Sequence, residues 1–191
     1  MSVYLLRHGQ TDWNKTGLIQ GRYDTPLNET GFSQAREARE KLKDIDIKRV
    51  YVSPLLRARQ TAETAMEGRE VPFIEDARLA EMAYGIYEGT DYRGQEYQTL
   101  RRYLAYRYPN GESYFDVAHR AFSFLDEIRP IAEKEDVLLV CHGAIARAIN
   151  AYFEDQIDND LFIDLICPNG GIRKYEYKNR EIPVTMPLPK K

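Results

Sequence analysis

Short apolar runs rich in β-branched residues alternate along the chain with longer segments in which apolar residues recur at helical spacing. Such alternation is typical of an α/β fold with a largely parallel sheet. Strands are predicted over residues 3–6, 49–52, 72–74, 137–141, 161–166 and 172–177. Helices are predicted over residues 30–42, 54–66, 95–106, 115–132 and 144–153. We therefore expect a three-layer α/β sandwich, in which helices cover both faces of a mostly parallel central sheet of about six strands.

The second predicted helix carries the clearest boundary signal in the chain. Ser53 is a favourable N-cap residue, because its hydroxyl can accept a hydrogen bond from a backbone N–H of the first turn. Pro54 suits the first helical position, where its missing N–H would have no partner. The pair predicts that this helix begins at Pro54.

Residues 82–112 interrupt the alternation of strands and helices and are rich in tyrosine. Together with Tyr114 they hold eight of the 14 tyrosines, the other seven being Tyr84, Tyr87, Tyr92, Tyr97, Tyr103, Tyr106 and Tyr108. Insertions that follow strands of a parallel sheet lie over the strand ends where ligands bind, so we expect a small lid insertion here. Tyr84 and some of its neighbours could stack on a substrate ring, or the tyrosines could close a small core within the lid.

The chain length of 191 residues predicts a single domain, since a domain typically has roughly 150 residues. No internal repeat or linker divides residues 1–191. The C-terminal tail, residues 178–191, contains Pro183, Pro187 and Pro189, and we expect it to be extended or disordered.

Charge and hydropathy narrow the possible partners. The 27 Lys and Arg residues nearly balance the 30 Asp and Glu residues, for a net charge of −3, which argues against nucleic-acid or acidic-membrane partners. The longest apolar run, residues 137–141, is far shorter than the roughly 20 residues of a membrane-spanning helix. The first residues show no signal-peptide pattern, so we expect a cytoplasmic protein. Cys141 and Cys167 are expected to be small buried hydrophobic residues.

Two of the three histidines stand in the same local context. His8 follows the first strand and His142 follows the most apolar strand, and each is followed by a glycine. If these strands are neighbours in a parallel sheet, both imidazoles emerge at the same edge and can share one site. His119 lies within an amphipathic helix and is expected to be a surface or packing residue.

Two arginines add an anion site to this edge. Arg7 precedes His8, and Arg57 lies one turn into the helix that follows Ser53, where helical N–H groups and the positive end of the dipole favour an anion. Guanidinium groups bind phosphate through paired N–H donors. Two arginines and two imidazoles would neutralise a dianionic phosphoryl group, so this is the expected ligand. No carboxylate stands at a ligand spacing from either strand-end histidine, so no metal site is predicted.

The residues around His8 read LRHGQTDWN over positions 6–14. This stretch resembles the RHGxTxxN signature of the histidine phosphatase superfamily, in its phosphoglycerate mutase-like branch. Further segments are similar to the family's motifs in the family's order: residues 20–31, 53–62, 79–89, 111–113, 142–147 and 169–171. A lone RHG is a weak signal, whereas seven ordered motifs spread over residues 3–175 are specific.

The resemblance implies a role for each candidate residue and requires no cofactor. His8 would take the phosphoryl group as nucleophile, and Glu81 would protonate the leaving alkoxide and then accept a proton from water. Arg7, Arg57 and His142 would hold the phosphoryl oxygens in a loose, in-line transition state and supply the positive charge that Mg²⁺ gives in kinases. The remaining contacts to phosphate or substrate are predicted at Asn14, Gln20, Gly143 and Tyr84.

Three functions are compatible with this set of residues. We favour a metal-independent phosphatase, because Met82 stands where the related mutases have a substrate-binding arginine, and a methionine offers no charged donor. A phosphoglycerate mutase-type phosphoryl transferase remains open, because Arg101 and Arg102 resemble the arginine pair with which mutases grip substrate. A non-catalytic phosphoryl-binding protein is the alternative of another class.

The expected partner is a small phosphorylated metabolite. By resemblance to the family, candidates include α-ribazole 5′-phosphate, phosphoglycerate, fructose bisphosphates and phosphoserine. The sequence leaves the choice of substrate and the oligomeric state open.

Overall fold

Strands and helices alternate along most of the chain, and the computed structural model describes them for residues 1–154 and 158–177. The strands are β1 (Val3–Arg7), β2 (Ile47–Val52), β3 (Phe73–Glu75), β4 (Asp136–Cys141) and β5 (Ile172–Tyr175). The helices are α1 (Asp12–Thr16), α2 (Glu29–Leu42), α3 (Leu56–Ala65), α4 (Gln95–Leu100), α5 (Tyr114–Ala132), α6 (Gly143–Phe153) and α7 (Asn159–Asp164). Two short 3₁₀ helices span Ala77–Leu79 and Gly85–Tyr87.

The strands form one mostly parallel sheet in the order β3-β2-β4-β1-β5. Strand β1 lies parallel to β4, with Arg7 opposite Cys141, and antiparallel to the edge strand β5. The predicted α/β fold with a largely parallel sheet is therefore confirmed. The sheet has five strands in the described part of the chain, rather than about six.

Side chains of β4 show how the sequence builds a core on each face of the sheet. Val137, Leu139 and Cys141 lie in one buried cluster with residues of α5 and α6. Leu138 and Val140 lie in a second cluster with residues of α2 and α3. Because successive side chains of a strand point to opposite faces, one continuous apolar run supplies both cores.

The predicted strand over residues 161–166 is wrong, because these residues belong largely to helix α7. The Asp158 side chain accepts a hydrogen bond from the Leu161 N–H at 2.7 Å and caps the helix. Phe162 and Ile163 then become buried on one side of the helix. A short apolar run satisfies a strand and a buried helix equally well, and the cap decides between them.

The predicted start of α3 at Pro54 is also wrong. The helix begins at Leu56, and its N-cap residue, Leu55, makes no side-chain capping bond. The Ser53 hydroxyl accepts a bond from the Leu55 N–H at 3.3 Å, but its shorter bond, at 2.7 Å, joins it to His142. A tertiary contact thus uses the hydroxyl that the local sequence assigns to a cap.

Two smaller differences concern residues 12–16 and 101–106. Helix α1 was not predicted, although Thr11 and Asn14 form a reciprocal capping box at its start. Helix α4 ends at Leu100, and residues 101–106 form turns and irregular structure.

Residues 82–112 connect the first 3₁₀ helix to α5 and hold the second 3₁₀ helix and α4. The predicted tail, residues 178–191, lies outside the described residues. No helix within the described ranges is long and apolar enough to span a membrane.

Candidate active site

The ends of β1 and β4 bring His8 and His142 together, as the strand pattern predicts. The His8 N–H donates to the Cys141 carbonyl at 2.9 Å, which continues the parallel pairing by one residue beyond the strands. The two imidazole centroids lie 5.0 Å apart and both side chains are buried. The register of one parallel strand pair therefore places both rings at a single site.

The hydrogen bond at His8 Nδ1 identifies which ring nitrogen is free to react. Nδ1 lies 2.7 Å from the Gly9 carbonyl oxygen, which can only accept, so Nδ1 carries the proton. Burial, followed by the positive charges of Arg57 and Arg7, holds the pKa of His8 well below its usual value of 6.5. The ring is neutral at pH 7, and Nε2 carries an unshared electron pair.

The proton of His142 is located by its contact with Ser53. His142 Nε2 lies 2.7 Å from the buried Ser53 hydroxyl, which already accepts a bond from Leu55 N–H. The hydroxyl proton needs an acceptor, and Nε2 is the acceptor within reach. Burial, followed by the charge of Arg57, holds the pKa of His142 well below 6.5, so the neutral ring carries its proton on Nδ1.

Arg57 is fully buried and fastens the loop after α1 to helix α3. Its terminal nitrogens donate to the Gly21 carbonyl at 2.8 Å and the Tyr23 carbonyl at 2.7 Å. Burial lowers the pKa of Arg57 to about 10, and Glu81 opposes that shift. The guanidinium therefore keeps its charge at neutral pH.

Arg7 is anchored by the segment that follows α7, because its Nη1 donates to the Cys167 carbonyl at 2.6 Å. Burial lowers the pKa of Arg7 from its usual range, and the charge of Glu81 partly offsets this effect. Two fixed positive charges thus face the two neutral imidazoles.

Several donors at this site lack a partner. Five buried side-chain nitrogen or oxygen atoms in the described part of the chain make no hydrogen bond, and Arg7 Nε, Arg57 Nε and His142 Nδ1 are three of them. A buried donor without an acceptor is costly, so such atoms mark a place for a ligand. Their number and charge fit an anion with several oxygens.

Asn14 and Gln20 are oriented by the buried hydroxyl of Thr11. Thr11 Oγ1 donates toward Gln20 Oε1 at 3.0 Å, while the Thr11 N–H and Asn169 Nδ2 donate to Asn14 Oδ1, each at 3.2 Å. Because both amide oxygens already accept bonds, both amide NH₂ groups are available as donors on the cavity wall.

Glu81 lies across the N-terminus of α6. Its Oε2 accepts from Gly143 N–H at 2.9 Å, and its Oε1 accepts from Ala144 N–H at 3.0 Å and Met82 N–H at 2.9 Å. The Glu81 carboxylate therefore occupies backbone donors that favour an anion. These donors become available to a ligand when the Glu81 side chain moves away.

A cavity of about 360 Å³ opens over these groups. Its lining includes Arg7, His8, Arg57, Glu81 and Gly143, together with Asn14, Gln20, Tyr84, Tyr92, Tyr97, Arg101, Tyr114 and Arg147. Predicted site residues from both halves of the chain thus meet around one cavity. His142 is fully buried and is not one of the lining residues, but its ring contacts that of His8, which is one of them.

Most tyrosines of residues 82–112 pack against one another. Tyr108 contacts Tyr84, Tyr87, Tyr97 and Tyr106 at centroid distances of 5.4–6.1 Å. Tyr103 is exposed and takes no part in this cluster. Tyr84 therefore packs against this cluster and also lines the cavity.

The sequence alone did not indicate roles at the site for Thr11, Ser53, Thr61 or Arg147. Thr61 Oγ1 accepts from Gly9 N–H at 3.0 Å and donates to the Arg57 carbonyl, linking the residue after His8 to helix α3. Each of these residues lies within one of the segments that resemble the family's motifs, and this position was the only signal in the sequence that pointed to them. In the described part of the chain, no group of three or more His, Cys, Asp or Glu side chains is arranged to hold a metal ion.

Comparisons with known proteins agree on one family. The sequence profile of the Histidine phosphatase superfamily (branch 1) matches residues 3–186. An uncharacterized phosphatase, PhoE, from Bacillus subtilis is 37% identical over 148 residues, or 78% of this chain and 75% of that protein. A probable phosphoglycerate mutase, GpmB, from Escherichia coli is 35% identical over 150 residues, or 75% of this chain and 70% of that protein.

A solved structure extends the similarity to three dimensions. A mycobacterial glucosyl-3-phosphoglycerate phosphatase in complex with VO3 has a TM-score of 0.82 with this chain at 27% identity. The similar region covers 91% of this chain and 90% of the mycobacterial protein.

Proposed function

This chain belongs to the histidine phosphatase superfamily, branch 1, as its ordered motifs predict, and we propose that it hydrolyses small phosphomonoesters through a phosphohistidine on His8. The observation that carries the proposal is the neutral His8 ring, with Nδ1 bonded to the Gly9 carbonyl and Nε2 unprotonated beside two arginines. The relatives named as phosphatases support hydrolysis as the reaction.

In this proposal the phosphoryl group of the substrate binds between His8 and the unpaired donors. Arg7 Nε, Arg57 Nε and His142 Nδ1–H donate to its oxygens. Asn14 and Gln20 add their amide N–H groups from the cavity wall. The two guanidinium charges offset the charge of the phosphoryl group, so the site needs no metal ion for this purpose.

His8 Nε2 then attacks phosphorus as the bond to the leaving oxygen breaks. The electron pair of Nε2 forms the N–P bond, and the electron pair of the broken P–O bond stays on the alkoxide. The proton stays on Nδ1 and keeps its hydrogen bond to the Gly9 carbonyl, which holds the ring in position for in-line attack during transfer.

Glu81 serves as acid and then as base. In its protonated form it gives its proton to the leaving alkoxide and becomes a carboxylate. The carboxylate afterwards takes a proton from the water that attacks the phosphohistidine and releases phosphate, which restores the acid. For this role the Glu81 side chain must leave the N–H groups of Gly143 and Ala144, to which it is bonded. Those N–H groups then become donors for a phosphoryl oxygen.

A mutase-type transferase is the second candidate, favoured by Arg101 on the cavity wall and by the similarity to the protein named as a probable phosphoglycerate mutase. Against it, the Met82 side chain is fully buried in the core and offers the cavity no charged donor. Arg102 is exposed and pairs with Asp160 at 3.1 Å, outside the cavity lining. The expected arginine pair is thus reduced to one residue at the cavity.

A substrate panel with variants tests the proposal. We expect phosphate release from p-nitrophenyl phosphate and from small phosphomonoesters, undiminished by EDTA and lost in His8→Ala. His119→Ala is the matched control, because His119 is exposed on α5, and it should keep the wild-type rate.

Other outcomes separate the alternatives. Conversion of 3-phosphoglycerate to 2-phosphoglycerate without phosphate release would favour the mutase. Phosphate binding without any turnover would favour a non-catalytic binding protein. Full activity of His8→Ala would remove His8 from the nucleophile role.

A further inference from the structure

Glu81 lies on a segment that has no regular secondary structure of its own. Residues 81–84 follow the first 3₁₀ helix and precede the second, and none of them belongs to a helix or strand. The segment therefore lacks the ladder of backbone hydrogen bonds that fixes β1 and β4, the strands that lead to the two histidines. Contacts from elsewhere in the chain must hold this backbone in place.

Arg120 of α5 holds the backbone just before Glu81. Its Nη1 donates to the Arg78 carbonyl at 2.6 Å and to the Ala80 carbonyl at 2.7 Å. Its Nε and Nη2 donate to the two carboxylate oxygens of Glu112 at 2.9 and 3.2 Å. Four of the five guanidinium N–H groups are thus engaged, and the planar fork fixes the direction of each of them.

Glu112 holds the backbone just after Glu81. Its Oε2 accepts from the Ala83 N–H at 2.8 Å, and its own backbone N–H donates to the Ala83 carbonyl at 2.8 Å. Burial alone would raise the pKa of Glu112, but the hydrogen bonds from Arg120 and the Ala83 N–H outweigh burial and lower this pKa below its usual value of 4.5. The carboxylate therefore keeps its charge and its acceptor positions at neutral pH.

The Glu112–Arg120 pair spans Glu81 without lining the cavity. The pair bonds to the Ala80 carbonyl at one end and to the Ala83 N–H at the other. The two side chains are only 19% and 14% exposed, and neither belongs to the cavity lining. An effect of this pair on the reaction must therefore act through the residues that it holds.

Glu112 also connects this segment to the loop that binds Arg57. Arg22 Nη2 donates to Glu112 Oε2 at 3.3 Å. Arg22 follows Gly21, whose carbonyl accepts from Arg57 at 2.8 Å. One carboxylate thus links the backbone around Glu81 to a guanidinium of the phosphoryl site.

The proposed reaction requires Glu81 to move, because its carboxylate is bonded to the N–H groups of Gly143 and Ala144. Since the backbone is held on both sides, at Ala80 and at Ala83, this movement is a rotation of the Glu81 side chain alone. The carboxyl group then swings to a defined place. An acid that serves one leaving oxygen needs such a fixed position.

We propose that Glu112 and Arg120 are positioning residues for Glu81, which hold residues 80–83 so that the carboxyl group of Glu81 reaches the leaving oxygen. The inference rests on the proposed phosphatase activity and on the acid role of Glu81 within it. Weakening the pair should impair protonation of the leaving group and leave the attack by His8 largely intact.

Two esters with similar rings separate these steps. p-Nitrophenolate leaves with little help, whereas the phenolate of phenyl phosphate depends more on protonation. We expect the ratio of kcat/KM for p-nitrophenyl phosphate over phenyl phosphate to rise roughly tenfold in Glu81→Gln. The same ratio should rise roughly threefold or more in Glu112→Gln and in Arg120→Lys.

Both variants of the pair are mild changes with a defined defect. A glutamine has one accepting oxygen and cannot serve both Arg120 and the Ala83 N–H as the carboxylate does. A lysine keeps the positive charge, which helps to lower the pKa of His142, but loses the fork that reaches Glu112 and the carbonyls together. Thermal unfolding shows which variants are folded, and either folded variant decides the test.

Two further variants give the test its controls. Glu127→Gln makes the same chemical change at an exposed α5 residue that pairs with Arg78 at 2.7 Å, and it should leave the ratio unchanged. In a Glu81→Gln background, Glu112→Gln should keep the ratio within about twofold of Glu81→Gln alone, because no acid is left to position.

Equal losses for both esters in the folded variants of the pair would overturn the inference while the phosphatase proposal stands. A wild-type ratio in those variants, or a further rise of the ratio in the Glu81→Gln background, would also overturn it. An unchanged ratio in Glu81→Gln would remove the acid role on which the inference rests. Absence of phosphate release from both esters in the wild-type protein would overturn the proposed function itself.

Discussion

The contact with Ser53 assigns the proton of His142 to Nδ1, the nitrogen that makes no hydrogen bond within the described residues and that donates to the phosphoryl group in the proposed reaction. Replacing Ser53 with Ala removes the donor to Nε2, so the tautomer with a bare Nδ1 becomes accessible and repels phosphoryl oxygens. We expect kcat/KM for p-nitrophenyl phosphate to fall by roughly tenfold, or about 1.4 kcal/mol, in Ser53→Ala.

Two further variants serve as a rescue and a control for this measurement. Ser53→Thr keeps the hydroxyl and should recover much of the loss, while Ser123→Ala removes an exposed hydroxyl on α5 and should have no effect. Wild-type kinetics in Ser53→Ala would show that the hydroxyl does not set the tautomer.

The buried histidines predict a definite pH dependence. In the folded protein the pKa values of His8 and His142 lie well below 6.5, because of burial first and then the arginine charges. Below about pH 6.5 the unfolded chain binds protons at these positions and the folded chain does not, so the free energy of unfolding falls as pH decreases toward the folded-state pKa values.

Histidine ring ¹⁵N NMR and urea unfolding measure this dependence. Both rings should remain neutral through about pH 6.5, and His142→Gln should flatten the dependence of stability on pH by removing one contributor. A titration midpoint at or above 6.5 for either ring would contradict the electrostatic description of the site.

The chemistry-bearing residues were predictable because their order along the chain matches strand ends, a helix start and a family's motifs. His8 and His142 meet at the ends of β1 and β4, and Arg7 and Arg57 line the same cavity as His8, while their roles in the reaction stay a prediction. The contact of Ser53 with His142 was not predictable, because the two residues are 89 positions apart and the local sequence favours a helix cap at Ser53.

Helix α2 approaches the loop after β1 so closely that only glycine fits at position 9. A Cβ on Gly9 would lie 2.4 Å from the Gly31 carbonyl oxygen and 2.8 Å from Gly31 Cα, both backbone atoms in the first turn of α2. Gly9→Ala must therefore shift the loop whose carbonyl orients His8.

We expect Gly9→Ala to lower the free energy of unfolding by roughly 1–3 kcal/mol and to lower kcat, because the His8 ring loses its fixed orientation. Gly94→Ala is the control, with a φ of −53° and a nearest atom 3.2 Å away, and it should cost less than about 1 kcal/mol with kcat unchanged. Chemical denaturation and steady-state rates check both variants, and an unperturbed Gly9→Ala would show that the loop and helix are not tightly coupled.

Elements were predictable where the hydrophobic pattern is long and periodic, as in α2, α5 and β4. The pattern failed for the short run at residues 161–166, where one cap from Asp158 selects the helix α7. It also missed α1, whose five residues include none that is buried.

The cavity depends on contacts that no single segment encodes. Arg57 of α3 holds the loop at Gly21 and Tyr23, while Ile163 of α7 brings Arg101 and Arg147 together. The sequence indicated that residues 82–112 contribute to the pocket, and four of them, Tyr84, Tyr92, Tyr97 and Arg101, line it. It did not indicate Arg147, whose side chain lines the cavity and donates to the Ile163 carbonyl of α7, the element predicted as a strand.

Trapping the covalent intermediate tests the central claim most directly. The wild-type protein is mixed with p-nitrophenyl phosphate, quenched in alkali during turnover, and analysed by phosphorus-31 NMR and by mass spectrometry of its peptides. The account predicts a phosphohistidine on His8 that is absent from His8→Ala and retained in His119→Ala. Turnover without any phosphohistidine, or with the phosphoryl group on another residue, would contradict it.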